Sequence, residues 1–140
     1  MTLERGEDFA DLATYVTGYR AGGYDVATVV AAVCGCGGRA FAIGVDDEAG
    51  AAERLCAACG EAAFIADSAD YWEEAVPEQC ACPCGGELFE VGVGFAGTGD
   101  GTGDVRWVSV GLRCLADGVL GVYTDWKIDY RPSAGLIGMV

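Results

Sequence analysis

Alternating apolar and polar residues lay out most of this chain as strands, after one stretch of helical spacing. Phe9, Leu12, Val16 and Tyr19 recur every three or four residues, with Glu4, Glu7 and Asp8 where a helix dipole favours acid. Residues 4–20 therefore read as an amphipathic helix, ended by Gly22 and Gly23, that packs on the rest of the fold. Residues 25–33 are apolar and β-branched, a lead-in strand. Phe41, Ile43 and Val45 share one face of the next strand, Asp46 to Gly50 is turn-like, and residues 51–55 lead back, which makes a hairpin. A third strand runs through Phe64 and Ile65 to Asp67. Ser68 is placed to cap a short helical turn that Pro77 stops, and Tyr71 and Trp72 inside it read as core aromatics. Alternation returns with Phe89, Val91, Val93 and Phe95, pauses at a glycine-rich flexible tip over 98–104, and resumes with Val108, Val110 and Leu112 opposite Trp107. The last strand carries Leu120, Val122, Tyr123, Trp126 and Ile128, with Asp125, Lys127 and Asp129 as a solvated face. Residues 135–140 are apolar and either fray or pack against the fold.

The predicted class is α+β, mainly β: two tandem β-hairpin units with an N-terminal helix. Residues 1–33 hold the helix and lead-in strand. Residues 34–77 hold the first unit and an acidic linker, and residues 78–140 the second unit and the C-terminal strand.

Cysteine changes the picture. Cys34-x-Cys36-Gly37-Gly38 is followed by Cys56-x-x-Cys59-Gly60, with nineteen residues between Cys36 and Cys56. Cysteines one or two residues apart put two thiolates on one ion when the backbone turns sharply between them, and the glycines allow that turn. Zinc, with four tetrahedral N or S ligands, suits the set Cys34, Cys36, Cys56 and Cys59. Disulfides fit less well, because a bridged Cys-x-Cys pair is strained and no basic-then-apolar leader precedes the cysteines.

A second copy follows. Residues 82–93 overlay residues 34–45, with the cysteines, both glycines, the phenylalanine and the closing Gly-Val in register. Cys114-Leu115-Ala116-Asp117-Gly118 overlays Cys56-Ala57-Ala58-Cys59-Gly60, and an aspartate follows each glycine by seven residues, Asp67 and Asp125. The second hairpin is ten residues longer. Its ligands are Cys82, Cys84 and Cys114, and three completions are open. Asp117 ligates through a carboxylate oxygen, or Cys80 swings in as the fourth thiolate, or the second site holds no metal.

Charge and missing residue types narrow the function. Of 140 residues, 8 are Lys or Arg and 22 Asp or Glu, a net charge of −14. Residues 1–77 carry 4 basic and 14 acidic side chains, residues 78–140 carry 4 and 8, so the acid is concentrated in the first half. Phosphate binding relies on Lys and Arg, so direct contact with nucleic acid is disfavoured and a protein with a basic surface is the expected partner. Histidine is absent, which removes Ser–His–Asp and Cys–His nucleophiles and HExxH proteases. Gly92-x-Gly94-x-x-Gly97 matches a dinucleotide fingerprint on paper, but no helix can start in the glycine run after it. No apolar run is long enough for a membrane span, and the expected compartment is the cytoplasm.

Taken together, the four cysteine-glycine knuckles over residues 33–130 resemble tandem zinc-ribbon, rubredoxin-like modules, and the arrangement is similar to a bacterial group of such proteins. The resemblance implies β-hairpin architecture and bound metal, and leaves function open because ribbons serve transcription, translation, enzymes and scaffolds. The expectation is a non-enzymatic protein with one or two structural zinc ions and an acidic interaction surface. Iron at Cys34, Cys36, Cys56 and Cys59, as in an electron carrier, is one alternative. A labile or catalytic zinc at the second site is another.

Overall fold

Each alternating stretch has one apolar face to bury, and the stretches satisfy their backbone groups by pairing with one another. The computed structural model describes residues 3–140. Among them are one α-helix, α1 (Phe9–Tyr19), and eight strands, in an α+β, mainly β arrangement. The strands are β1 (Val26–Ala31), β2 (Phe41–Asp46), β3 (Ala51–Cys56), β4 (Ala62–Phe64), β5 (Glu78–Gln79), β6 (Phe89–Gly97), β7 (Val105–Cys114) and β8 (Leu120–Lys127). The main path of the sheet runs β4-β3-β2-β6-β7-β8, with β1 added to β6 and β5 to β2, every pair antiparallel.

That order reads the same from either end of the two-hairpin pattern. At its centre β2 meets β6 through Phe41 and Phe89, residues 48 apart that occupy the same place in the two copies. Phe41 also pairs with Cys56, and Phe89 with Cys114. The pairing is thus alike on the two sides of the phenylalanine pair. The lead-in strands follow the same correspondence. Ala31 pairs with Gly92 and Ala32 N–H donates to Val91 O at 3.0 Å; Gln79 pairs with Gly44 and Cys80 N–H donates to Ile43 O at 2.8 Å. Each unit thus lends its lead-in strand to the other unit's hairpin.

The sheet curls around one apolar face. Phe41, Phe89, Val91, Val93, Val108 and Leu112 on that face are fully buried. At about 1.5–3 kcal/mol per buried apolar side chain, this interior outweighs the short stripe under α1. Side chains close the curl. Asp67 accepts from Trp126 Nε1 at 3.0 Å and Tyr130 OH at 2.9 Å, and Asp47 accepts from Thr124 Oγ1 at 2.6 Å.

The helix lies on the outer face of the second hairpin. It starts at Phe9, later than residue 4, because residues 4–6 pair with the second unit. Leu120 N–H donates to Glu4 O and Gly6 N–H to Gly118 O, both at 2.8 Å. Asp8 caps it, accepting from Asp11 N–H at 3.0 Å. Leu12 and Val16 are fully buried over glycines; a Cβ on Gly94 would lie 2.6 Å from Val16 Cγ1.

Several linker and tip details differ from the sequence expectations. β4 ends at Phe64, and Ala66, with φ of +54°, turns the chain inward. Ser68 caps nothing; its buried hydroxyl accepts from Ala52 N–H and donates to Ile65 O. Tyr71 is exposed, and Trp72 packs edge-on against Phe64 at 5.3 Å. The tip over 98–104 is an organised turn. Asp100 accepts from the hydroxyls of Thr102 and Thr98, and the Thr102 hydroxyl foremost holds its carboxyl well below the usual range. Asp125 is not simply solvated, since it accepts from Trp107 Nε1 at 2.9 Å. Residues 134–138 pack as a 3-10 turn with Leu136 buried. Among the described residues no helix is long and apolar enough to cross a membrane.

Candidate metal centres

Both centres sit where a knuckle before a hairpin meets a knuckle after it. In the first knuckles, Cys34 N–H donates to Gly38 O at 2.9 Å and Cys82 N–H to Gly86 O at 2.8 Å. Gly37 and Gly85 take φ of +89° and +92°, which any side chain would resist. The next glycines are required for another reason. A Cβ on Gly38 would lie 2.8 Å from Cys56 Sγ, and one on Gly86 2.9 Å from Cys114 Sγ. In the second knuckles, Gly60 N–H donates to Cys56 O at 2.9 Å and Gly118 N–H to Cys114 O at 2.8 Å, both glycines at φ of +79°.

These turns gather two sets of ligand atoms, Cys34, Cys36, Cys56, Cys59 and Cys82, Cys84, Cys114, Asp117, each set within 4.8 Å of one another. Cys34 and Cys59 sulfurs are 3.5 Å apart, Cys36 and Cys56 3.7 Å, and Cys84 and Cys114 3.7 Å. Those separations are close to the edge of about 3.8 Å that a tetrahedron of sulfurs has at ~2.3 Å from zinc. They are far beyond the ~2.05 Å of a disulfide, and all eight cysteines are free. In each set two cysteines are buried, while Cys36, Cys59 and Cys84 face solvent, which leaves an entry path for an ion.

Backbone amides favour thiolate in the first centre. The Cys59 N–H, aimed at Cys56, is the largest cause bringing that thiol down to about 7. The Glu61 N–H pulls the Cys59 thiol down as well, but the crowding thiols of Cys34 and Cys36 leave it up at about 12. A divalent cation among the four sulfurs replaces the protons they otherwise share. In the second centre, Asp117 Oδ1 accepts from Val119 N–H at 3.1 Å, the largest cause holding its carboxyl low. Its two oxygens lie 3.5 and 3.7 Å from Cys82 Sγ. Both donor sets fit a tetrahedral divalent metal.

Cys80, one of the three completions the sequence left open, is not gathered with the second set, which closes on Asp117. Only 6% of it is exposed, its thiol is pushed up to about 11 by burial, and its amide is committed to Ile43 O. Its counterpart is Ala32, 48 residues earlier and also buried. Extending the overlay two residues upstream of the first cysteines reveals that match. The repeated aspartates are struts: Asp67 holds Trp126 and Tyr130, and Asp125 accepts from Trp107 Nε1 and, at 3.4 Å, Tyr19 OH. Comparison of the chain with family models, with curated proteins and with solved structures finds no match.

Proposed function

We propose that this is a non-enzymatic tandem zinc-ribbon protein of the cytoplasm, with one structural zinc in each unit and an acidic surface that binds a basic protein. The carrying observation is the pair of four-donor clusters built on matching glycine knuckles. The first zinc takes Cys34, Cys36, Cys56 and Cys59. The second takes Cys82, Cys84, Cys114 and the Asp117 carboxylate, a ligand type zinc accepts. Each ion joins the two ends of a hairpin, and binding free energy of that kind adds directly to folding free energy. The surface half of the reading is supported by the net charge of −14 and its concentration in residues 1–77.

Elemental analysis and an absorption spectrum of untagged protein, purified anaerobically without chelator, test the metal half. Two zinc ions per chain and no visible colour are expected, with loss of far-UV circular dichroism on chelation. Iron with visible bands would replace this reading with electron transfer. One zinc per chain would restrict the metal to the first centre.

A further inference from the structure

The correspondence between the two units also matches the outer faces of the two hairpins. In the second hairpin that face carries Gly92, Gly111, Leu120 and Val122, and α1 fills it with Leu12 and Val16. The corresponding positions of the first hairpin are Gly44, Glu53, Ala62 and Phe64. α1 packs on β1, β6, β7 and β8, and leaves this first face to the linker and solvent.

The uncovered face carries exposed apolar side chains beside Glu53, Glu78 and Gln79. Leu55 is 43% and Phe64 37% exposed, and Trp72 leans on Phe64 from the linker. Leu55, Trp72 and Pro77 line a groove of about 280 Å³ over Gly44. A Cβ on Gly44 would meet only Pro77 Cβ, at 3.7 Å, so the floor is open at the position matching Gly92, while Glu53 stands where the second hairpin has Gly111. Beside the groove stands Val76, 79% exposed, its amide held at 2.8 Å by Asp46 Oδ2. Val76 is also on the lip of a neighbouring cavity of about 790 Å³ lined by Asp46, Asp47, Glu48, Glu74 and Glu78. No lysine or arginine lines either cavity.

We infer that this face docks an amphipathic helix of a partner protein, apolar side on Leu55, Phe64, Trp72 and Val76, with lysine and arginine flanks over Asp46, Glu53, Glu74 and Glu78. The inference rests on the partner-binding half of the proposed function and gives it a place and a ligand. A helix is specified because the matching face already holds one. Basic flanks are specified by the carboxylate rim, which opposes an acidic occupant. The same rim disfavours a second copy, whose own helix has Glu7 and Asp8 just before it and Asp11 in its first turn, and whose net charge is −14.

The test is fluorescence anisotropy of the intact metal-loaded protein with a synthetic leucine–lysine amphipathic helix of about five turns. A peptide of the same composition, shuffled so that no apolar face forms, is the charge control. Leu55→Asp and Phe64→Asp alter the groove. Leu3→Asp makes the same change at another exposed leucine, and Val76→Asp stands in for any groove variant that loses metal. Metal content is measured on every preparation, so a failed centre and a failed groove give different results. Groove variants that keep their metal are expected to bind about tenfold more weakly, with Leu3→Asp nearly unchanged and the shuffled peptide weak. Absent binding of the helix, equal binding of the shuffled peptide, or equal weakening by Leu3→Asp would overturn the inference. So would a dimer in sedimentation that Phe64→Asp dissolves, because the face would then be a self-interface.

Discussion

Among the described residues, Arg54 is the one buried cation. It stacks over Phe41, 4.9 Å from the ring centroid, and its Nη2 donates to Val140 O at 3.2 Å, but its Nε is buried without a partner. The matching residue of the second hairpin is Leu112, fully buried. A buried polar group left unpaired costs about 1–3 kcal/mol, more than a cation–π contact of ~0.5–1 kcal/mol returns. Arg54→Met keeps the length of the side chain and removes the unpaired group. It is expected to raise stability by about 1 kcal/mol, read as a higher urea midpoint with the metal content unchanged. The same matching explains Cys80. Sequence reading weighs a thiol near three others as a ligand, whereas the strand register makes it the equivalent of Ala32, a core residue.

At the scale of elements, glycine decides where the helix goes. Gly92, Gly94 and Gly111 clear a floor on β6 and β7, and a Cβ on Gly111 would strike Val16 and press on Gly92 O. Gly111→Ala is therefore expected to cost about 1–3 kcal/mol through overpacking. Gly44→Ala, on the open face of the first hairpin, is expected to stay within about 0.5 kcal/mol. Thermal melts of the two variants side by side check the contrast; equal losses would mean that contact with α1 is not the reason. The helix itself was legible in the spacing of Leu12 and Val16. Its start was not, because Glu4 to Gly6 are taken by the edge beside Val119, a partner more than a hundred residues away.

For the whole molecule, the reciprocal strands make each half depend on the other. β1 precedes the first centre and pairs in the second hairpin, and β5 precedes the second centre and pairs in the first. Asp67 and Asp47 add side-chain bonds from the first unit to β8. Loss of either centre should therefore lower the midpoint of one shared transition. Cys36→Ser and Cys84→Ser, unfolded in urea with excess zinc, are each expected to show a single transition that coincides by tryptophan fluorescence and circular dichroism. Two separated transitions would mean that the halves fold independently.

The sequence by itself determined the strand alternation, the helix stripe, the spacing of both cysteine sets and the offset of 48 residues between their first knuckles, because these depend on neighbours in the chain and on local turn chemistry. Only the tertiary structure decided that Phe41 faces Phe89, that the lead-in strands cross over, that Asp117 and not Cys80 stands beside Cys82, and that the helix covers one hairpin and leaves the other open. Those outcomes follow from long-range pairing, in which a match is settled by what opposes a residue across the sheet, and no local pattern carries that information.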